Sequence, residues 1–307
     1  MKLIRYFILI ALFSTFQVII FGQCNLQDQI EKIEAEMNAN NYLAVKSLIH
    51  DVELNCKNEL KKMVEIPHWF AVLNANVDYV LQPDSSLVHS IKSPFEYFLR
   101  NNKTHNAKYA SATIVYSNIL ILCNRLNEAL IILNNLKEFI ESSGYKLDLD
   151  YLTCLNNIGA IYYFQSKYED AIAVYRIAEK KLDEMHLTES NNFMQIKTNL
   201  GSIYFMMSKH KEALAETEQA LIVNEKINGK DHFSSSKIVN TLGLVSSQIG
   251  DKKNALRYYL KALELANQAP LIDSLLITEY NRNILVLYID DNKIDEPLKL
   301  LLIQQIF

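Results

Sequence analysis

Histidine, cysteine and glycine are the residues of this chain best able to support chemistry, and their spacing decides whether they do. The seven histidines (His50, His68, His89, His105, His186, His210 and His232) are scattered without a His-x-x-x-His pair. The four cysteines (Cys24, Cys56, Cys123 and Cys154) include no Cys-x-x-Cys. A metal site needs several such ligands at short, regular intervals, so no metal is expected. Phosphate loops, dinucleotide fingerprints and nucleophile elbows all require glycine. Each of the seven glycines has another place: Gly22 in an apolar leader, Gly144 and Gly229 between helical stretches, Gly250 in a turn, and Gly159, Gly201 and Gly243 inside helices. Neither cofactor nor catalysis is expected. What recurs is asparagine, at Asn156, Asn157, Asn199, Asn240 and Asn283. An amide donates and accepts, so it can hold a peptide backbone whatever the side chains.

The elements that carry these residues read as helices throughout. Seven glycines in 307 residues are about a third of the usual share, too few for the turns of β-sandwiches or the loops of nucleotide-binding α/β folds. Half the residues are apolar, 21 % are charged and the net charge is −4, which excludes collagen, a mucin-like stalk and a disordered acidic tail. No basic stripe appears, so nucleic acid is not expected as a partner. Gly159, Gly201 and Gly243 recur every 42 residues, followed at constant intervals by Ala171, Ala213 and Ala255 and then by Ala178, Ala220 and Ala262. The frame gives units beginning at Ala110, Leu152, Met194, Ser236 and Thr278, the last a degraded copy. Position 8 is small in the first four units, positions 20 and 27 are mostly alanine, and positions 7 and, apart from Ser246, 11 are large and mostly apolar. Small residues at facing points let two antiparallel helices approach closely. Each unit is one helical hairpin, turning near positions 14 to 17, that must stack on its neighbours to bury its apolar face.

The pattern resembles the tetratricopeptide repeat: large apolar residues at 4 and 7, a small one at 8, Tyr162, Tyr204 and Tyr288 at 11, alanine at 20, Tyr175 and Tyr259 at 24, alanine at 27. The 42-residue period is similar to that of the kinesin-light-chain subclass, and Asn224 to Gly243, with Gly229, Asp231 and His232, is similar to its linker and following helix. Phe233 stands where that subclass commonly has proline, so the linker turn is expected to differ. The resemblance, in the form found in exported bacterial proteins, implies an all-α fold, a right-handed superhelical solenoid of antiparallel helix hairpins. It also implies a scaffold that binds a peptide or helix of a partner protein in its concave groove. Positions 2, 5, 6, 9, 12 and 13 of each first helix face that groove. They carry the five asparagines, for which the resemblance implies backbone clamping; the alternative is that these amides cap or cross-link neighbouring helices. Tyr163, Phe164, Phe205 and Met206 lie on the same arc, either as an apolar pocket or, as we expect, packed on the next unit. Lys237 and Arg282 could meet a carboxylate, but matched cations across adjacent units are missing.

Residues 23–109 read as divergent helical hairpins capping the array of residues 110–307. They do not fit the frame cleanly. Asn40-Asn41 marks a first turn, with Ala44 where position 20 would fall. Pro67, Pro83 and Pro94 divide the stretch beyond that hairpin into three short segments, since proline belongs at helix starts. Residues 1–22, with Lys2 and Arg5 ahead of a mostly apolar run to Phe21, have the pattern of a secretory signal peptide. Export to the periplasm or the medium is the expectation, with cleavage after Gly22. An uncleaved anchor or a lipidated Cys24 would instead tie the chain to a membrane. Cys123 and Cys154 fall at opposite ends of successive first helices and are expected as buried thiols. Cys24 and Cys56 bracket the first hairpin, leaving a disulfide or two thiols as alternatives. The apolar run from Leu298 to Phe307 lacks the polar cap of a finished array. An alternative function is therefore the sensory front of a longer chain carrying a caspase-like (CHAT) peptidase, a histidine kinase or a helix-turn-helix regulator.

Overall fold

The computed structural model describes residues 25–290 apart from 103, 105, 147 and 271. Residues 1–22, read above as a signal peptide, Cys24 and the apolar run of 298–307 lie outside the described residues. Among the described residues the regular structure is helical, and no helix is long and apolar enough to cross a membrane. The chain forms two compact units that meet in sequence at Asp150 and Tyr151.

The first unit holds α1 (Leu26–Asn38), α2 (Tyr42–Asn55), the short α3 (Lys57–Leu60), α4 (Glu65–Leu81), α5 (Leu87–Arg100), α6 (Asn106–Leu122) and α7 (Leu126–Ser143). The second holds α8 (Asp148–Phe164, which begins just before it), α9 (Tyr168–Glu184), α10 (Asn191–Met206), α11 (His210–Asn228), a 3₁₀ turn (Phe233–Ser235), α12 (Ser236–Gln248), α13 (Lys252–Asn267) and α14 (Ser274–Asp290). Within each unit helices adjacent in sequence pack as antiparallel hairpins, and in the second unit alternate helices α10, α12 and α14 also touch. Within each unit a hairpin covers the apolar face of the next, as a 42-residue repeat requires.

One turn recurs at position 15 of the frame. Asn124, Ser166, Ser208 and Gly250 all have positive φ. In each case the N–H of position 16 reaches the carbonyl of position 11, and that of position 15 the carbonyl of position 12. This double bond pattern closes a helix whose next residue is left-handed. Asn40, φ 57°, sits in the same turn with the same two bonds, to Met37 and Glu36. Asn40 precedes Asn124 by two periods, so α1–α2 is in register after all. The frame therefore continues backward, with units beginning at Leu26 and His68.

That register corrects the expectation for residues 23–109. Position 20 of the first hairpin is Val45, fully buried, rather than the half-buried Ala44. Positions 20, 24, 27 and 31 are buried at Val45, Ile49, Val52 and Cys56, at Leu87, Ile91, Pro94 and Phe98, and again at Ala171, Tyr175, Ala178 and Leu182. Pro94 thus lies inside α5 and does not end it. A proline inside a helix costs about 3 kcal/mol, and the buried Ile91, Phe95 and Phe98 on the same face offset that. The three segments expected there are two helices.

Close approach obeys the expected rule. A Cβ on Gly159 would come within 2.6 Å of the Tyr175 ring, and one on Gly243 within 2.6 Å of the Tyr259 ring. Position 8 faces position 24, and hydrogen there is what lets the aromatic side chain lie flat between the two helices.

The linker before α12 is held by side-chain hydrogen bonds. Asn224, fully buried, accepts from the Ser234 hydroxyl at 2.8 Å and the Asn228 amide at 2.8 Å and donates to Ser235. His232 bonds Ser234 through Nδ1 and lies against the Phe233 ring. The chain takes a 3₁₀ turn here, so α12 starts at position 1 while α8 and α14 start four residues earlier in the frame. Cys56 is disulfide-bonded, whereas Cys123 and Cys154 are reduced thiols, Cys154 buried as expected and Cys123, at the end of α6, only partly so. Mass spectrometry after alkylation without reductant is expected to find Cys123, which is partly exposed, labelled and Cys56 unlabelled until the protein is reduced.

Candidate functional site

The groove positions of the second unit come together as the frame requires, but their amides face one another. The Asn199 side chain donates to Asn156 Oδ1 and to the Tyr175 hydroxyl, both at 3.0 Å. Both of its N–H bonds are therefore taken. The Asn283 amide donates to Asn240 Oδ1 at 3.0 Å, and the Asn240 amide to Glu279 Oε1 at 3.4 Å. Position 5 of one unit thus accepts from position 6 of the next, first across α8 and α10 and then across α12 and α14. Between those pairs stand Thr198 and Thr241, each bonded to its own helix backbone. Asn240 is only 4 % exposed, out of a partner's reach. Asn157 is half-buried and also has a partner in the fold. For Asn156, Asn199, Asn240 and Asn283 the geometry is that of the cross-link, the alternative to a backbone clamp.

The aromatic residues divide. Tyr163 is half-buried, packed on the core and against Tyr168, with ring centroids 6.0 Å apart. Phe205 is half-buried and lies 6.4 Å from the His210 ring. Phe164 and Met206, expected to pack on the next unit, are instead 61 % and 50 % exposed. Both occupy position 13, the last turn before the left-handed residue, where the side chain projects off the edge of the hairpin. Between α8 and α10 a cleft of about 180 Å³ is lined by Ala160, Tyr163, Phe164, Tyr175, Asn199, Ser202 and Ile203. Burial raises the Tyr163 phenol above its ordinary range, with smaller contributions from Tyr168 and Glu279. It raises that of Tyr175 further, partly offset by the Asn199 bond. Both phenols stay neutral at physiological pH. The cleft is an uncharged pocket of rings and short polar groups, suited to receiving a side chain. Among the described residues no three of His, Cys, Asp or Glu stand together as a metal site.

A charged cluster below this face escaped the sequence reading. Lys197, 4 % exposed, pairs with Glu216 at 2.9 Å and with Glu179. Arg176 pairs with both carboxylates and reaches the Tyr204 hydroxyl at 3.3 Å. The visible signal was a lysine at position 4, where Leu155 and Val239 are apolar. A single amphipathic residue there reads as an exception, because its partners are 18 and 19 residues away on α9 and α11.

Comparison with known proteins places these hairpins. Family models described as tetratricopeptide repeat match residues 152–176 and 192–268, the first beginning on position 1 of the frame. No curated protein sequence matches the chain. Among solved structures, BtubC (BKLC) from P. vanneervenii is similar with a TM-score of 0.62 at 16 % identity, over 71 % of this chain and 87 % of that one. NprR in complex with its cognate peptide NprX is similar at 0.60 and 17 %, over 91 % and 78 %. The apo quorum sensor NprR from B. thuringiensis is similar at 0.65 and 15 %, over 92 % and 75 %. At such identities the likeness speaks for the fold alone. That fold is an all-α, repeat-built solenoid, and the stretches that carry the tetratricopeptide repeat match are residues 152–176 and 192–268.

Proposed function

We propose that this protein is a non-catalytic interaction scaffold that takes an apolar side chain of a partner peptide or helix into the α8–α10 cleft. The observation that carries this reading is the cleft itself. It is open, uncharged and lined mostly by groove positions of two successive repeats, with Tyr175 and Ile203 behind them and the exposed Phe164 on its rim. Because the neighbouring asparagine amides bond one another, affinity comes from side-chain burial more than from backbone clamping. NprR, similar in fold, is described in complex with its cognate peptide, a precedent for a fold of this kind binding a peptide. Display selection of peptides on the whole protein, followed by titration against Phe164→Glu and Ser202→Arg, tests the reading. Selected peptides are expected to bind each variant at least about tenfold more weakly, the order of one lost apolar contact in a closed pocket. Unchanged affinity for both variants sinks it.

The same reading includes export, with residues 1–22 removed as a signal peptide and Cys24 paired with Cys56 across the first hairpin. Mass spectrometry of the secreted protein is expected to find Gln23 as the first residue. An intact Met1, or a lipid mass on Cys24, overturns that part.

A further inference from the structure

The backward extension of the frame exposes a second groove, built from hairpins whose register the residue types hide. In the first unit, a cleft of about 290 Å³ lies between α1, α4 and α6. Its nine lining residues all stand at groove positions of the frame. Glu34, Met37 and Asn38 are at positions 9, 12 and 13 of the unit from Leu26. Trp69, Val72, Leu73 and Asn76 are at 2, 5, 6 and 9 of the unit from His68, and Ser111 and Val115 at 2 and 6 of the unit from Ala110.

Its chemistry differs from that of the α8–α10 cleft in two respects. First, its polar groups are available. Among the described residues the side chains of Asn38, Asn76 and Ser111 make no hydrogen bond within the fold, whereas the groove amide of Asn199 has both N–H bonds taken. Second, it is charged with one sign. On the groove positions of these three units the charged residues are Glu31 and Glu34, with no lysine or arginine. Glu34 accepts from the Trp69 indole N–H at 3.3 Å through one oxygen, leaving its other lone pairs toward the cleft. Lys108, over the Trp69 ring at 5.6 Å, is neutralised by Glu65 and is not part of the lining.

We infer that this cleft binds a basic peptide segment. A guanidinium or ammonium group pairs with Glu34 beside the Trp69 ring, an adjacent aliphatic side chain rests on Val72, Leu73 and Val115, and the Asn76 amide bonds the peptide backbone. A half-buried carboxylate next to an indole suits a cation on an apolar stem, which gains an ion pair and a ring contact together. An acidic segment would meet Glu34 with like charge and is rejected. This cleft lies in the other unit and does not depend on the α8–α10 reading.

Trp69 is the protein's single tryptophan, so its emission reports on this cleft alone. The test titrates the whole protein with an end-capped octapeptide of alternating leucine and arginine, and with its leucine–glutamate counterpart. The basic peptide is expected to shift the Trp69 emission saturably and the acidic one to leave it unchanged. Glu34→Gln, which keeps an acceptor for the indole, is expected to weaken binding at least about tenfold. Ser111→Arg, which fills the cleft with a cation, is expected to abolish it, and Asn76→Ala to weaken it severalfold. Glu31→Gln, on the same face but outside the lining, is expected to weaken binding less than Glu34→Gln, and Phe164→Glu, in the other unit, to leave the titration as it is; circular dichroism checks that each variant is folded. Equal binding of the two peptides, equal affinity of Glu34→Gln and the parent, or no emission change at millimolar peptide overturns the inference. A loss confined to Phe164→Glu would place the peptide in the α8–α10 cleft instead.

Discussion

Replacing Lys197 by methionine is expected to lower the free energy of unfolding by about 3–5 kcal/mol. The lysine is 4 % exposed and stands between Glu179 and Glu216, which also share Arg176. Methionine matches the volume of the stem, so packing alone predicts little change. The loss comes from leaving two partly buried carboxylates with one cation between them. Urea unfolding followed by circular dichroism reads it directly. The triple variant Lys197→Met, Glu179→Gln, Glu216→Gln is expected to recover most of the loss, because it removes the charges together with their partner. A single-variant loss below about 1 kcal/mol, the range of an exposed ion pair, would show that the cluster contributes little. The cluster also sets a pH dependence. Burial pushes the Glu179 carboxyl up, but its bonds to Lys197 and Arg176 outweigh this and hold it below the ordinary range. Its folded pKa is therefore lower than its unfolded one. The stability this contributes is present above about pH 4.3, the ordinary glutamate value, and is lost as pH falls through the folded value. The parent protein is accordingly expected to lose more stability on acidification through that window than Glu179→Gln, measured by denaturant midpoints at a series of pH values.

Tyr175→Ala is expected to cost about 3–5 kcal/mol, the range for removing a buried aromatic ring. The ring is 1 % exposed and lies flat against Gly159, and its hydroxyl donates to the Asn156 carbonyl at 3.3 Å and accepts from the Asn199 amide. The same contact seen from the other side gives a smaller effect. Gly159→Ala places a Cβ 2.6 Å from the ring, forcing α8 and α9 apart at a cost of about 1–3 kcal/mol. Combining Gly159→Ala with Tyr175→Leu is expected to cost less than the two changes summed, because the hairpin from Ala110 already pairs Ser117 with Leu133, both fully buried. Thermal unfolding of the four proteins gives the coupling as a double-mutant cycle. Additive losses would show that the glycine and the ring are not in contact.

Helix type, hairpin turns and close-approach glycines could be read directly because each depends on residues near in sequence or one period apart. Gly159, Gly201 and Gly243 announced the frame through identity at constant spacing. The first two hairpins hid from the same search because they keep the frame in burial and not in residue type. Val45 and Leu87 fill the place that alanine holds elsewhere, and Pro94 fills another. Position 20 needs only an apolar side chain of a size its neighbours can accommodate, so a wider pair of helices tolerates valine or leucine without changing the register.

The chain's own sequence determined that it would be all helix, built from 42-residue hairpins, with a defined arc of residues on one face. Periodicity alone carries that information, since burying one stripe of a repeated hairpin dictates which side packs and which stays open. Only the tertiary structure decided what the open arc could do. Whether Asn199 faces a partner or Asn156, whether Phe164 packs or projects, and whether Lys197 finds two carboxylates depend on the separation of neighbouring helices and the direction of each side chain. An amide 3.0 Å from a second amide joins two helices, while one such as Asn76, with no bond inside the fold, is left to bind something else.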